Sequence, residues 1–316
     1  MDPTTNPFAP GAGTRPPELA GRDKIIEDAT VVLKRVRNGR PARSQMLLGL
    51  RGVGKTVLLN RIAEIAEELD YLTVLLEAPE TRRLAEMLVP PLRRILVQLS
   101  RVEQVRDRAR RALKVLRSFA SAFKVAVGDV EFGVEAEVGS ADSGTLEVDL
   151  PEVLLAVADA ARMADRAVAL FIDEVQYLSS EDLGALIVSV HRIGQKGLPL
   201  VVFGAGLPQL AALAGDAKSY AERLFAYPDV GPLAAEAAKD AIRQPIRREG
   251  EEILDEALEL ILEQTRGYPY FLQEWGFHLW ETTEASPVSA DDARRATEAA
   301  VAGLDHGFFR VRLDRL

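Results

Sequence analysis

A chain of 316 residues, 47% hydrophobic and 28% charged, is long enough for a core domain of about 200 residues and a smaller companion. The absence of cysteine excludes disulfides and thiolate metal centres, and the three histidines (His191, His278, His306) have no metal-site spacing. The net charge of −9 argues against a surface given over wholly to nucleic acid.

In chain order, residues 1–18 are rich in proline and glycine and predict a flexible, extended arm; they lack the basic start and apolar stretch of a signal peptide. Ile25, Ile26, Ala29, Val32, Leu33 and Val36 recur at helical spacing, predicting a helix over 23–37 that Asn38 and Gly39 end. QMLLGL (45–50) predicts a buried strand, TVLLNRIAEIAEELD (56–70) a helix, and YLTVLLEAP (71–79) a second strand. Residues 81–122 are helical in pattern, with an interruption at Pro90 and Pro91. From 125 to 149 apolar and polar residues alternate around several glycines, predicting a β-rich insertion.

A helix over 150–165, the strand AVALFIDEV (167–175), a helix over 180–193 and the strand LPLVVFGAG (198–206) follow. The apolar run that begins at Leu198 is broken by Pro199, Gly204, Gly206 and Pro208, so it is no membrane span, and a cytosolic protein is expected. After about Leu233 the strands stop and four helical segments remain, the last capped by Ser289 with Asp292 and stopped by Gly303. Alternating strands and helices followed by an all-helical stretch predict a parallel α/β sandwich with a helical second domain.

The chemistry concentrates in GLRGVGKT (49–56), which has Gly49, Gly54, Lys55 and Thr56 at the spacing of a phosphate-binding loop, between a buried strand and an amphipathic helix. Backbone N–H groups of Gly49, Arg51, Gly52, Val53, Gly54, Lys55, Thr56 and Val57 are candidates to wrap the phosphates of ATP at the helix N-terminus. Lys55 would reach the β- and γ-phosphates, and the Thr56 hydroxyl would ligate Mg2+. Asp173 closes an apolar strand at its C-terminal end and would hold Mg2+ through water, while Glu174 is the candidate general base; a helix-terminal acid is the bland reading of Glu174. The third strand ends in Gly204-Ala205-Gly206, with no polar side chain to sense a γ-phosphate; Gln176 and Gln209 are the candidates to substitute, or are solvated loop residues.

GLRGVGKT, FIDEVQYL, FGAGLPQL, SYAERLF and TRGYPYFLQEWG, in this order, resemble the ATPase module of origin-recognition-like AAA ATPases, with archaeal-type and STAND switch ATPases closely related, and an actinobacterial-style ATP-binding family. The resemblance covers roughly residues 15–316 and implies a three-layer αβα P-loop NTPase sandwich (19–232, with the 125–149 insertion) followed by a helical lid (233–305). It places Leu19, Ala20, Gly21 and Arg22 beside the adenine and Pro269 against it. Arg266, as a lid arginine, or Arg223, acting on a neighbouring subunit, would bring positive charge to the γ-phosphate; the alternative for each is a structural ion pair. A winged helix follows the lid in that family; the tail 306–316 (HGFFRVRLDRL) leads to none here, so a truncation or a natural short form is expected.

Ten basic residues between Arg93 and Lys124 face only Glu103 and Asp107 within that run. They could neutralise phosphates of DNA or RNA, or form a solvated face answered by the acidic 125–149 segment. Taken together, these residues predict a slow Mg-ATP-dependent switch whose lid is read by a protein partner, a second subunit or DNA. A nucleotide-binding module without turnover and a P-loop small-molecule kinase are the rivals.

Overall fold

The computed structural model describes residues 1–11, 13–79, 81–125 and 134–304. The chain divides into two compact units. The larger comprises Ile25–Gly49 and Leu58–Asp229; the smaller comprises Met1–Lys24, Leu50–Val57 and the chain from Val230 onward. A continuous core over 19–232 was expected. Instead the segment before α1 and the phosphate loop itself group with the C-terminal helices.

The larger unit is built on five parallel strands in the order β2-β3-β4-β1-β5: β1 (Ser44–Leu48), β2 (Tyr71–Glu77), β3 (Ala167–Asp173), β4 (Leu200–Gly206) and the two-residue β5 (Phe225–Ala226). All residues of β3 and β4 are buried, as expected of strands covered on both faces. Phe171 and Phe203 stack at the centre with ring centroids 5.3 Å apart. The pairing is in register, Phe171 opposite Phe203 and Leu48 opposite Gly206, so the C-terminal ends of β1, β3 and β4 share one sheet edge.

Helix α1 (Asp23–Arg37) leads into β1, and α2 (Lys55–Glu68) follows the loop after it. The stretch after β2 forms α3 (Leu84–Ser100) and α4 (Arg106–Ala122). The two prolines lie inside α3 rather than breaking it. The break falls at 101–105, where Arg101 ends the helix with bonds from its N–H to the Gln98 and Leu99 carbonyls.

No strand forms among the described residues of the expected β-rich insertion, whose positions 126–133 lie outside them. Its last four residues open α5 (Leu146–Met163). Buried Asp149 organises that entry by accepting from Ser143 N–H, Ser143 Oγ and Gly144 N–H at 2.8–3.2 Å. The rest of this unit is α6 (Ser180–Gln195), α7 (Leu210–Ala217) and α8 (Ala221–Leu224).

The smaller unit packs α9 (Ala235–Arg248), α10 (Asp255–Thr265), α11 (Pro269–Thr282) and α12 (Ala290–Leu304) around Ile242, Leu258, Leu272, Trp275, Leu279 and Trp280. These are the four expected helices. Ser289 and Asp292 cap α12 reciprocally: Ser289 N–H donates to Asp292 Oδ2 at 2.8 Å, and Asp292 N–H to Ser289 Oγ at 3.4 Å. The helix runs on through Gly303.

The N-terminal arm belongs to this core. Phe8 is 2% exposed and sits against Gly276, where an added Cβ would stand 2.5 Å from the Phe8 ring. Trp280 Nε1 donates to the Asp2 carbonyl at 2.7 Å, Asn6 Nδ2 to Phe277 O at 3.2 Å, and Arg248 Nη1 to Pro17 O at 2.8 Å. The expectation of a flexible arm is corrected on this point: one buried aromatic ring outweighs the surrounding prolines and glycines. The expected tail 306–316 lies outside the described residues. Among the described residues no helix is long and apolar enough to cross a membrane.

Candidate functional site

The glycine loop leaves the sheet where Gly49 N–H donates to the Gly206 carbonyl at 3.2 Å, and ends where α2 begins at Lys55. Gly52 (φ +81°) and Gly54 (φ +92°) take left-handed backbone angles that other residues adopt only under strain. At Gly54 an added Cβ would meet nothing within 4 Å, so conformation alone calls for glycine there. Lys55 is only 6% exposed, and its Nζ donates to the Leu50 carbonyl at 2.9 Å, holding an ammonium inside the loop. Val53 is buried, Gly54, Thr56 and Val57 are half-buried, and Arg51 is exposed.

Within the same unit, the first turn of α11 grips the loop. Tyr270 N–H donates to the Gly52 carbonyl at 3.1 Å, and the Tyr268 hydroxyl to the Arg51 carbonyl at 2.7 Å. Pro269 stands between them at the first helical position, where a missing N–H costs nothing. Gly52 is closely overlaid: a Cβ there would come 3.1 Å from Tyr270 Cβ and 3.2 Å from Tyr268 Cε1. Burial, with a smaller contribution from the Glu274 hydrogen bond and charge, pushes the Tyr270 phenol up to about 12, so it remains neutral at ordinary pH.

Arg22, 8% exposed, donates to Val53 O at 3.1 Å and Gly231 O at 2.5 Å. Its guanidinium therefore braces the loop backbone. Leu19 and Ala20 are half-buried, with Ala20 against the helical core. Gly13 of the arm stands beside Thr56, where an added Cβ would lie 3.5 Å from Thr56 Cγ2. Arg266 ends α10 in a left-handed conformation (φ +49°) and is exposed, as is Arg223 on α8 of the larger unit. Neither makes an ion pair among the described residues.

The acidic residues lie in the larger unit. Asp173 closes β3 opposite Glu77 of β2, is 8% exposed, and its Oδ1 accepts from Glu174 N–H at 2.8 Å. Glu174 has a left-handed backbone (φ 52°, ψ 38°), a strained geometry of the kind found at functional sites. Gln176 Nε2 donates to Glu174 Oε2, and Leu207 N–H donates to Gln176 Oε1 at 3.1 Å. One amide thus links Glu174 to the end of β4. Gly206 leaves room for it: a Cβ there would be 2.8 Å from Gln176 Oε1. Gln209 is exposed at the start of α7 and makes no cap bond.

The donor sets fit the expected groups. A loop with two left-handed glycines, a helix N-terminus and a nearly buried ammonium suits phosphate. The Thr56 hydroxyl and Asp173 carboxylate are hard oxygens of the kind that suit Mg2+, an ion that keeps water and phosphate oxygens in its shell. The sequence missed the tyrosine ties and the glutamine link. Both depend on residues far apart in sequence or on side-chain direction, although the aromatic density of GYPYF was a signal.

Residues 18–203 match the AAA ATPase domain family. No curated protein matches the chain. Similar solved structures include the Walker-type ATPase of Pyrococcus abyssi (TM-score 0.57, 18% identity, covering 96% of this chain and 78% of that one). The ORC2 protein of Aeropyrum pernix, solved in ADPNP-ADP complexes, gives a TM-score of 0.55 at 15% identity over 92% of this chain and 70% of its own. RuvB of Thermotoga maritima gives 0.51 at 15% identity over 89% and 70%. At these identities the likeness is one of fold: a parallel α/β P-loop sandwich with a helical C-terminal region.

Proposed function

The chain belongs to the AAA ATPase domain family, and from that premise we propose that it is a slow Mg-ATP-dependent switch whose helical lid follows the state of the γ-phosphate. The observation that carries this reading is the pair of hydrogen bonds from Tyr268 and Tyr270 to the Arg51 and Gly52 carbonyls. Those carbonyls belong to the loop whose N–H groups hold phosphate. Any rotation of these peptides on phosphate binding therefore moves the first turn of α11.

In this reading the backbone of Gly49–Val57 and the Lys55 ammonium hold the phosphates, and Leu19 and Pro269 flank the adenine. Arg22 braces the loop from Val53. Thr56 and Asp173 hold Mg2+, which when bound neutralises charge on the phosphates. Glu174 orients the attacking water and takes its proton, with its carboxylate aimed by Gln176. Arg266, exposed beside the lid tyrosines in sequence, brings positive charge to the γ-phosphate, or Arg223 does so from a second copy. Turnover is slow because the β4 end carries no polar side chain of its own. A cytoplasmic, STAND-like switch follows, with lid position read by a partner.

Phosphate release from the wild type and Glu174→Gln tests the reading. Loss of a general base costs on the order of a hundredfold or more. Equal rates for the two proteins would remove Glu174 as the base and favour a binding module without turnover.

A further inference from the structure

We propose that the solvent face of α4 is a docking surface for the phosphate backbone of duplex nucleic acid, independent of the nucleotide-switch reading. Arg106, Arg110 and Lys114 form a row at i, i+4 and i+8, all exposed and without an ion pair among the described residues. Like charges at this spacing destabilise an isolated helix, so the row persists against a cost. Among the described residues the acidic 125–149 segment answers Arg111, through Glu137 at 3.5 Å, while Arg108 pairs with Asp159 of α5 at 3.2 Å.

On another flank of α4 lies a cavity of about 670 Å3, lined by Arg108, Arg111, Arg162 and Lys196 together with Glu152 and Asp159. Arg162 precedes β3 and Lys196 precedes β4, so this cavity lies toward the starts of the strands, whereas Asp173 and Gly206 stand at their ends. A seven-residue strand separates the two edges by about 23 Å.

Duplex is favoured over single strands because α4 offers no stacking platform. Its one aromatic residue, Phe119, is fully buried in the core. The helix is anchored by Leu113, Leu116 and Phe119, all buried in the core, so the row is held on a fixed element. Arg106 to Lys114 spans about 12 Å of helix, over which one strand of B-DNA presents three or four charges. A protein of net charge −9 repels DNA on average, which makes a local cationic row the place where contact is made.

The test is fluorescence anisotropy of a short labelled duplex of random sequence with the full chain, between about 50 and 200 mM salt. The triple variant Arg106→Glu, Arg110→Glu, Lys114→Glu is compared with a control that reverses Arg40, Arg82 and Arg247, three exposed arginines elsewhere. Thermal unfolding of both checks their folding. We expect wild-type binding that weakens with salt, loss of at least tenfold in the α4 triple, and a salt slope lower by about 2.7 for three lost phosphate contacts. No binding at low salt, or equal loss in the control, would overturn the proposal. Equal binding of polyglutamate would overturn it in favour of an acidic protein partner. Lys55→Ala separates the two readings: it should abolish ATP binding and leave duplex binding unchanged.

Discussion

At Glu174 the chain accepts a left-handed backbone, then spends Gln176 on holding the resulting carboxylate. The Gln176 amide can be displaced without touching Glu174. Gly206→Ala would place a methyl 2.8 Å from both Gln176 Oε1 and Leu210 Cδ2. The predicted result, measured by steady-state phosphate release, is a fall in kcat of about tenfold with KM little changed, as for loss of an aligned base. Gln176→Ala should match it, and wild-type turnover in both would show that the link does nothing for catalysis.

Tyr270 supplies a pH prediction at the same scale. Its phenol is raised to about 12 in the folded protein, above the ordinary value near 10. The folded state therefore holds a proton that the unfolded chain releases, and stability should fall as pH rises from 10 to 12. Thermal melts across that window should show the fall, and Tyr270→Phe should lessen it, the buried Tyr71, Tyr227 and Tyr268 phenols contributing the remainder.

The element that most changes the picture is the arm. Phe8 is buried among the C-terminal helices while residues on either side of it bond to α11 and α9. Phe8→Ala should destabilise the helical unit by about 3–5 kcal/mol, read as an earlier loss of tryptophan emission on urea titration. An unshifted transition would mean that the arm is not part of that core. Strongly periodic elements were legible: the 23–37 helix and the wholly apolar β3 and β4 needed only pattern. The arm was not, because composition averages one phenylalanine away. Nor was β5, two residues whose strand character comes entirely from pairing with Ser44 and Gln45. Among the described residues of the 125–149 stretch the alternation corresponds to no strand, since Asp149 ties 143–144 into the start of α5. Within the candidate site, spacing marked GLRGVGKT as a glycine loop between strand and helix and FIDE as the end of a buried strand, and the structure has both elements. The tyrosine ties did not, since no local rule connects position 52 to position 270.

For the molecule as a whole, the phosphate loop groups with the C-terminal helices rather than with the sheet, and the proposed switch rests on that grouping. Both tryptophans sit on α11: Trp275 Nε1 donates to Thr297 Oγ1 at 3.0 Å, and Trp280 Nε1 to Asp2 O at 2.7 Å. They report on the helix that begins at the loop. The most direct test is tryptophan emission of the full chain with Mg2+ and saturating ATP, a non-hydrolysable analogue, or ADP. A switch governed by the γ-phosphate predicts one signal for ATP and the analogue and a different one for ADP. An identical signal with all three would contradict it.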